Sequence, residues 1–142
     1  MDCLICKLLS GELEVSMVYR DELCSAFMDL HPINPGHMLV VPNRHAPYVS
    51  DMKEEESAQM FLIAQRLTVA LRSSGLKCEG VNFFLADGEA AGQEVFHAHL
   101  HIFPRYRGDG FSLRLPPGYG TDAPRKDLNE AAQRIREGLV SR

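Results

Sequence analysis

His97-Ala98-His99-Leu100-His101-Ile102-Phe103 places three of the chain's six histidines at alternate positions, interleaved with apolar residues. Successive side chains on a β-strand point to opposite faces. As a strand, this stretch puts all three imidazoles on one face and Ala98, Leu100 and Ile102 into a core. Such a row of ring nitrogens can do nucleophilic, acid–base or metal-ligand chemistry near neutral pH. Working outward, Pro104 is expected to stop the strand, and the Gly- and Ala-rich stretch 87–93 before it can bring backbone N–H groups to a ligand. Residues 81–86 read as a further strand. Residues 53–74 carry the strongest helical pattern, with Met60, Phe61, Ala64, Leu67 and Leu71 on one face. Asp51 and Glu54 are its expected capping box, and Gly75 its terminator.

Toward the N-terminus, 15–19, 23–28 and 37–41 read as strands, the last stopped by Pro42. The Pro- and Gly-bearing stretch 29–36 is a loop, and 6–10 a short helix closed by Gly11. Beyond the histidines, 108–124 is irregular and 127–140 helical. Five strands with one long helix between the third and fourth predict an α+β fold: an antiparallel five-stranded sheet, one long helix and short terminal helices. Residues 1–142 form one domain in this reading, with the segment from about 112 irregular and then helical. The sheet face that the helix leaves uncovered carries the histidines.

The chain's 142 residues suit one domain with a hydrophobic core, at 45% hydrophobic and 24% charged residues. A net charge of -4 argues against broad attraction to nucleic acid. Residues 1–10 lack the basic start and apolar run of a signal peptide, and no stretch reaches transmembrane length. A cytoplasmic location is therefore expected, with no membrane or nucleic-acid partner. The four cysteines are then thiols or metal ligands before they are disulfides. Cys24 and Cys78 stand alone and read as small core residues.

Phosphoryl or nucleotidyl transfer needs a nucleophile, donors for the nonbridging oxygens and a pocket for the rest of the substrate. His99, central in the row, can attack phosphorus through one ring nitrogen if the other donates to a fixed acceptor. His101 can donate to a phosphate oxygen. Gly92-Gln93-Glu94 precedes the strand, and the Gln93 amide can add donors. No P-loop pattern occurs. Cys3-Leu4-Ile5-Cys6 is half of a metal site on spacing alone; its plain alternative is a pair of reduced cysteines.

The row His97 to Phe103 with Ala91-Gly92-Gln93 before it, the block Asp29 to Pro42, and Gly108-Asp109-Gly110-Phe111 after Pro104-Arg105 together resemble the histidine-triad (HIT) family of nucleotide hydrolases and transferases, in its Fhit-like branch or among bacterial HIT-like proteins. The resemblance covers about residues 2–111. It implies an α+β homodimer that takes a purine nucleotide or dinucleotide, of the dinucleoside polyphosphate or nucleoside phosphoramidate type. His99 would attack the α-phosphorus and form a nucleotidyl-histidine that water resolves. His101 and Gln93 would contact the phosphates and Asp29 the ribose hydroxyls, while Leu4, Ile5, Leu8, Phe27 and Leu30 would surround the base. His37 matches a histidine behind the active strand. Some relatives carry an amide at the position of Ala86 and Ser or Thr at that of Glu94, so both positions depart from the pattern. The resemblance also joins Cys3 and Cys6 to His45 and His97 as a structural zinc site, with no metal needed for catalysis. Two other functions compete: a nucleotide-binding regulatory module with little or no chemistry, and a catalytic metal held by the histidine row itself.

Overall fold

The structure, a computed structural model, describes residues 2–140. They fall into two compact units that divide between Phe111 and Ser112. The first holds a short helix α1 (Leu4–Ser10), strands β1 (Met17–Arg20), β2 (Cys24–Met28) and β3 (Met38–Pro42), the long helix α2 (Glu54–Ser73), and strands β4 (Gly80–Phe84) and β5 (Leu100–Arg105). The sheet is antiparallel throughout, in the order β1-β2-β3-β5-β4. This is the expected α+β architecture. The second unit is irregular from 112 to 124 and then forms α3 (Arg125–Val140), which begins two residues before the 127–140 helix expected.

The inner strands are buried almost without interruption because both sheet faces are covered. On one face Ala26, Val40, Leu100 and Ile102 pack against Met60, Ile63, Ala64, Leu67 and Leu71 of α2. On the other, Phe27 and Val41 pack against Ile5 and Leu9 of α1. Each such aliphatic or aromatic side chain contributes about 1.5–3 kcal/mol by leaving water. Phe61 is a correction: it is 61% exposed, and Ile63 fills the stripe instead. Phe61 lies one position round the helix and meets Phe83 of β4 edge-on, with ring centroids 5.9 Å apart.

The α2 cap also differs from expectation. Glu56, not Glu54, turns back, its Oε2 accepting the Lys53 backbone N–H at 2.9 Å. Glu56 is buried and receives a two-pronged contact from Arg44 Nε and Nη2, 2.9 Å each, which fixes it in that place. Asp51 caps the preceding 3₁₀ turn by accepting the Tyr48 N–H. The β1–β2 turn is built on Asp21, whose carboxylate accepts from the backbones of Leu23 and Cys24, from Tyr19 Oη–H and from Gln59. Burial raises its pKa, but these four donors outweigh that and hold it down to about 2. Gly36, at φ +105°, leads into β3; a Cβ there would stand 3.0 Å from Leu71 Cδ1. Glycine is what lets this turn close onto α2.

Candidate functional site

Register aligns one row across the sheet: Phe27 faces Leu39, Leu39 faces His101, and His101 faces Phe84. Directly opposed residues share a face, so His101 stands on the face away from α2. Its neighbours Leu100 and Ile102 point into the α2 core. The His99 ring lies on the same side, its centroid 5.0 Å from that of His101. The ladder begins at Leu100, so His97 and His99 precede β5 rather than lying in it. The Ala98 N–H goes to Ala46 O, a loop carbonyl beyond the end of β3, which anchors the approach to β5 outside the strand ladder. Alternation survives, with Ala98 buried, but the row divides: His99 and His101 face one site and His97 enters another. Pro104 does not stop β5, which continues to Arg105.

Hydrogen bonds assign the tautomers. His99 Nδ1–H donates to the His97 carbonyl at 2.7 Å, leaving the Nε2 lone pair free. The Ile33 backbone N–H donates to His37 Nδ1 at 3.0 Å, so the His37 proton sits on Nε2. That Nε2–H donates to His101 Nδ1 at 2.9 Å, which leaves His101 with its proton on Nε2. Two adjacent imidazoles therefore present opposite characters, an acceptor at His99 and a donor at His101. Burial, then the charges of His99 and His37, push His101 down to about 4, against the opposing pull of Asp29. Burial likewise lowers His37. His101 is thus a neutral donor at pH 7.

Asp29 sits beside this pair, its Oδ2 3.4 Å from His37 Nε2 and 3.8 Å from His101 Nδ1. Its Oδ1 accepts the His31 N–H at 2.8 Å and shapes the turn. The expected apolar group divides by exposure. Ile5 and Phe27 are buried core residues and Leu8 is half-buried, whereas Leu4 and Leu30 are exposed, Leu30 by 86%. Gln93 is a correction to the reading of a free amide. Its Nε2 donates to Pro47 O and Val95 O, and its Oε1 accepts from Gly88 N. Both amide protons brace the loop instead of facing a ligand. Ala86 is buried and Glu94 exposed.

The second cluster joins Cys3, Cys6, His45 and His97, whose ligand atoms all lie within 4.8 Å of one another. His97 Nδ1 is 3.6 Å from each sulfur, and His45 Nδ1 is 3.5 Å from Cys6 Sγ. Ordinary Zn–S and Zn–N bonds at tetrahedral angles give a sulfur-to-nitrogen edge of about 3.6 Å. The donor set and its spacing fit a tetrahedral divalent ion. His97 Nε2–H donates to Pro42 O at 2.8 Å, which directs Nδ1 inward. Cys3 caps α1, its sulfur accepting the Cys6 N–H. Burial, then the neighbouring Cys3, push the Cys6 thiol up to about 11, so an entering ion must displace a proton. The three histidines of the row do not converge on one point among the described residues: His97 joins the cysteine cluster, whereas His101 groups with Asp29 and His37.

Sequence reasoning missed the brace behind β5. Buried Asn34 donates to Pro104 O and to Asp109 Oδ2, and Asp109 also receives Arg105 Nε at 2.6 Å. The Arg105–Asp109 spacing was a visible signal; the Asn34 link, seventy residues away, had none.

The HIT domain profile matches residues 10–108 of this chain. An uncharacterised HIT-like protein of Methanocaldococcus jannaschii is 36% identical over 134 residues, 94% of this chain and 98% of that protein. The crystal structure of a HIT family member from Bacillus subtilis superposes with a TM-score of 0.87 at 34% identity, covering 96% of each chain. That of a zinc-bound histidine triad family protein from Mycobacterium smegmatis gives 0.75 at 35% identity, over 99% of this chain and 97% of the other. With the triad, the fold and near-complete coverage in agreement, the chain belongs to the HIT domain family.

Proposed function

We propose that this protein is a nucleotide hydrolase or nucleotidyl transferase that works through a nucleotidyl-histidine on His99. The observation that carries the reading is the pair of opposite tautomers. His99 offers an unprotonated Nε2 beside a His101 Nε2–H donor, each set by its own backbone-anchored hydrogen bond. In the reaction, His99 Nε2 forms a bond to the α-phosphorus as the bond to the leaving group breaks. The leaving group carries away the electron pair, and His101 donates to a nonbridging oxygen whose charge grows. Water then attacks the phosphorus and releases a proton to solvent, the N–P bond returns its pair to Nε2, and the nucleoside monophosphate departs. Asp29 accepts the ribose hydroxyls. The base lies against exposed Leu4 and Leu30 and half-buried Leu8, over a wall formed by Ile5 and Phe27. A polyphosphate leaves as its anion and an amine leaves after taking up a proton from solvent, so dinucleoside polyphosphates and nucleoside phosphoramidates both satisfy this chemistry.

In the same proposal Cys3, Cys6, His45 and His97 hold a structural zinc ion. Four protein ligands close the shell, so the ion orders the N-terminus against the approach to β5 and takes no part in catalysis. A homodimer through α2 and β4 is supported by the free edge of β4 and by exposed Phe61, Phe83, Phe84 and Val69.

The test is a single-turnover experiment with an α-labelled nucleotide. Label should accumulate on His99 and clear with release of the monophosphate. His99→Asn should lose turnover while keeping nucleotide affinity within about tenfold. Full turnover by that variant would refute the assignment, and binding by the native protein without turnover would mark a regulatory module.

A further inference from the structure

Cys3 and Cys6 share one helical turn. Cys3 is the N-cap of α1, with an extended backbone, and its sulfur accepts the Cys6 N–H at 3.4 Å. Both sulfurs turn toward His97 Nδ1, 3.6 Å from each, and they lie within 4.8 Å of one another. Side chains three residues apart on a helix are neighbours. Small side-chain rotations at this helix end can therefore bring the two sulfurs into direct contact. Cys24 and Cys78 are placed differently. Cys24 is fully buried and Cys78 donates to Gly80 O at 3.3 Å, and neither joins a group of ligand atoms among the described residues.

The connectivity of the cluster makes the state of these two sulfurs decisive. A metal ion on Cys3, Cys6, His45 and His97 links α1 to the loop after β3 and to the approach to β5. A Cys3–Cys6 bond closes a ring inside one turn of α1 and crosses to no other element. The two links exclude each other, because sulfurs bonded to one another are no longer thiolate ligands and two imidazoles make only half of a tetrahedral shell. The histidine half of the site keeps its shape in either state. His97 Nε2–H is held by Pro42 O at 2.8 Å, and the His45 ring lies edge-on to it at a centroid distance of 5.3 Å. Cys6 is half-buried where Cys3 is only 6% exposed, so an oxidant in solvent meets Cys6 first.

We propose that Cys3 and Cys6 form a reversible oxidation switch, which hydrogen peroxide closes to a disulfide with loss of the ion and of the tie between α1 and the approach to β5. The Cys6 thiolate attacks one peroxide oxygen; the O–O bond breaks, hydroxide leaves, and Cys6 becomes a sulfenic acid. The Cys3 thiolate then attacks the Cys6 sulfur; the S–S bond forms, the S–O bond breaks, and a second hydroxide leaves. Two electrons pass from the sulfurs to the peroxide. A dithiol reverses the change by exchange, becoming a disulfide itself. Ile5 and Leu9 keep their packing on Phe27 and Val41, so the opening is local. The inference rests on the zinc reading of the cluster and is independent of the nucleotide reading of His99.

The experiment exposes the full-length, zinc-loaded protein to hydrogen peroxide. A chromophoric chelator follows the ion, and mass spectrometry of proteolytic fragments follows the sulfurs. Each ion released should be matched by one Cys3–Cys6 disulfide, seen as a fragment lighter by two hydrogens, and dithiothreitol with zinc should restore the starting state. The first intrahelical bond of α1 runs from Lys7 N–H to Cys3 O at 3.0 Å. Hydrogen exchange at the α1 amides should speed up by about tenfold or more on oxidation, while exchange in β5 stays as it was. Cys78→Ser should respond as the native protein does. Zinc retained under peroxide with both sulfurs reduced, or oxidation of Cys24 or Cys78 ahead of Cys3 and Cys6, overturns the proposal. So does a disulfide that leaves α1 exchange unchanged. A native protein that takes up no zinc removes the metal site and the switch together, whereas a zinc-loaded protein insensitive to peroxide removes the switch alone.

Discussion

Asp29→Asn separates two roles that the geometry offers this carboxylate. As a ribose acceptor, Asp29 makes charge-assisted hydrogen bonds to hydroxyls, each contributing about 1.5–3 kcal/mol. Its Oδ1 is engaged by the His31 N–H at 2.8 Å, a bond that an asparagine oxygen retains, so the turn survives the substitution. What changes is the charge and the acceptor capacity at Oδ2. The expected loss is about one such bond, which weakens nucleotide binding by about 10- to 150-fold. The assay is a thermodynamic cycle that measures the affinity of a ribonucleotide and its 2′,3′-dideoxy analogue for native and variant protein. The native protein should prefer the ribonucleotide by a similar factor, and the variant by less than about threefold. The alternative role is electrostatic. Asp29 Oδ2 lies 3.4 Å from His37 and 3.8 Å from His101, and its charge raises the pKa of both. Full ribose discrimination in the variant, with the acid limb of the activity profile moved to lower pH, would refute the ribose assignment and make Asp29 a partner of the imidazole pair.

Cys6→Ala removes the sulfur that approaches both His45 and His97; the variant should lose bound zinc by elemental analysis and melt at lower temperature, and zinc-free native protein with unchanged stability and turnover would refute the metal site. Acid should destabilise the fold before carboxylates titrate. His101 is held down to about 4 against 6.5 in the unfolded chain, so unfolded protein binds the proton first and stability falls as pH drops from 6.5 to about 4, by roughly 3 kcal/mol in total. Denaturant titrations at pH 7 and 4.5 should show this slope, reduced in His101→Gln. Light scattering should give a dimer at micromolar concentration, and Phe61→Glu with Phe84→Glu should return it to monomer; a native monomer would remove the α2–β4 interface.

What could be read ahead of the structure was local chemistry at regular spacing. The alternating row, the Cys3–Cys6 pair and the five strands each announce themselves within a few residues. What could not be read was the partner a side chain finds across the fold. Gln93 looks like a spare donor in sequence, and only the carbonyls of Pro47 and Val95 show that it is occupied. Spacing from Asp51 points to Glu54 as the helix cap, and Arg44, twelve residues upstream of Glu56, holds Glu56 in that role instead. Phe61 fits the helical stripe in sequence, but Ile63 is the residue buried against the inner strands while Phe61 stays exposed beside Phe83. His37 was legible as a buried hydrogen-bonding residue, but the direction of its proton depends on the Ile33 N–H.

Residue 97 serves two sites with two different parts of itself. Its imidazole belongs to the cysteine cluster, while its carbonyl sets the tautomer of His99. A carbonyl is common to all twenty amino acids, so the nucleophile's proton is placed by a group that mutation cannot delete. The first histidine of the triad is therefore the member that natural variation is free to exchange: a chain that orders its N-terminus by other means can abandon the imidazole at this position and still keep His99 ready to react.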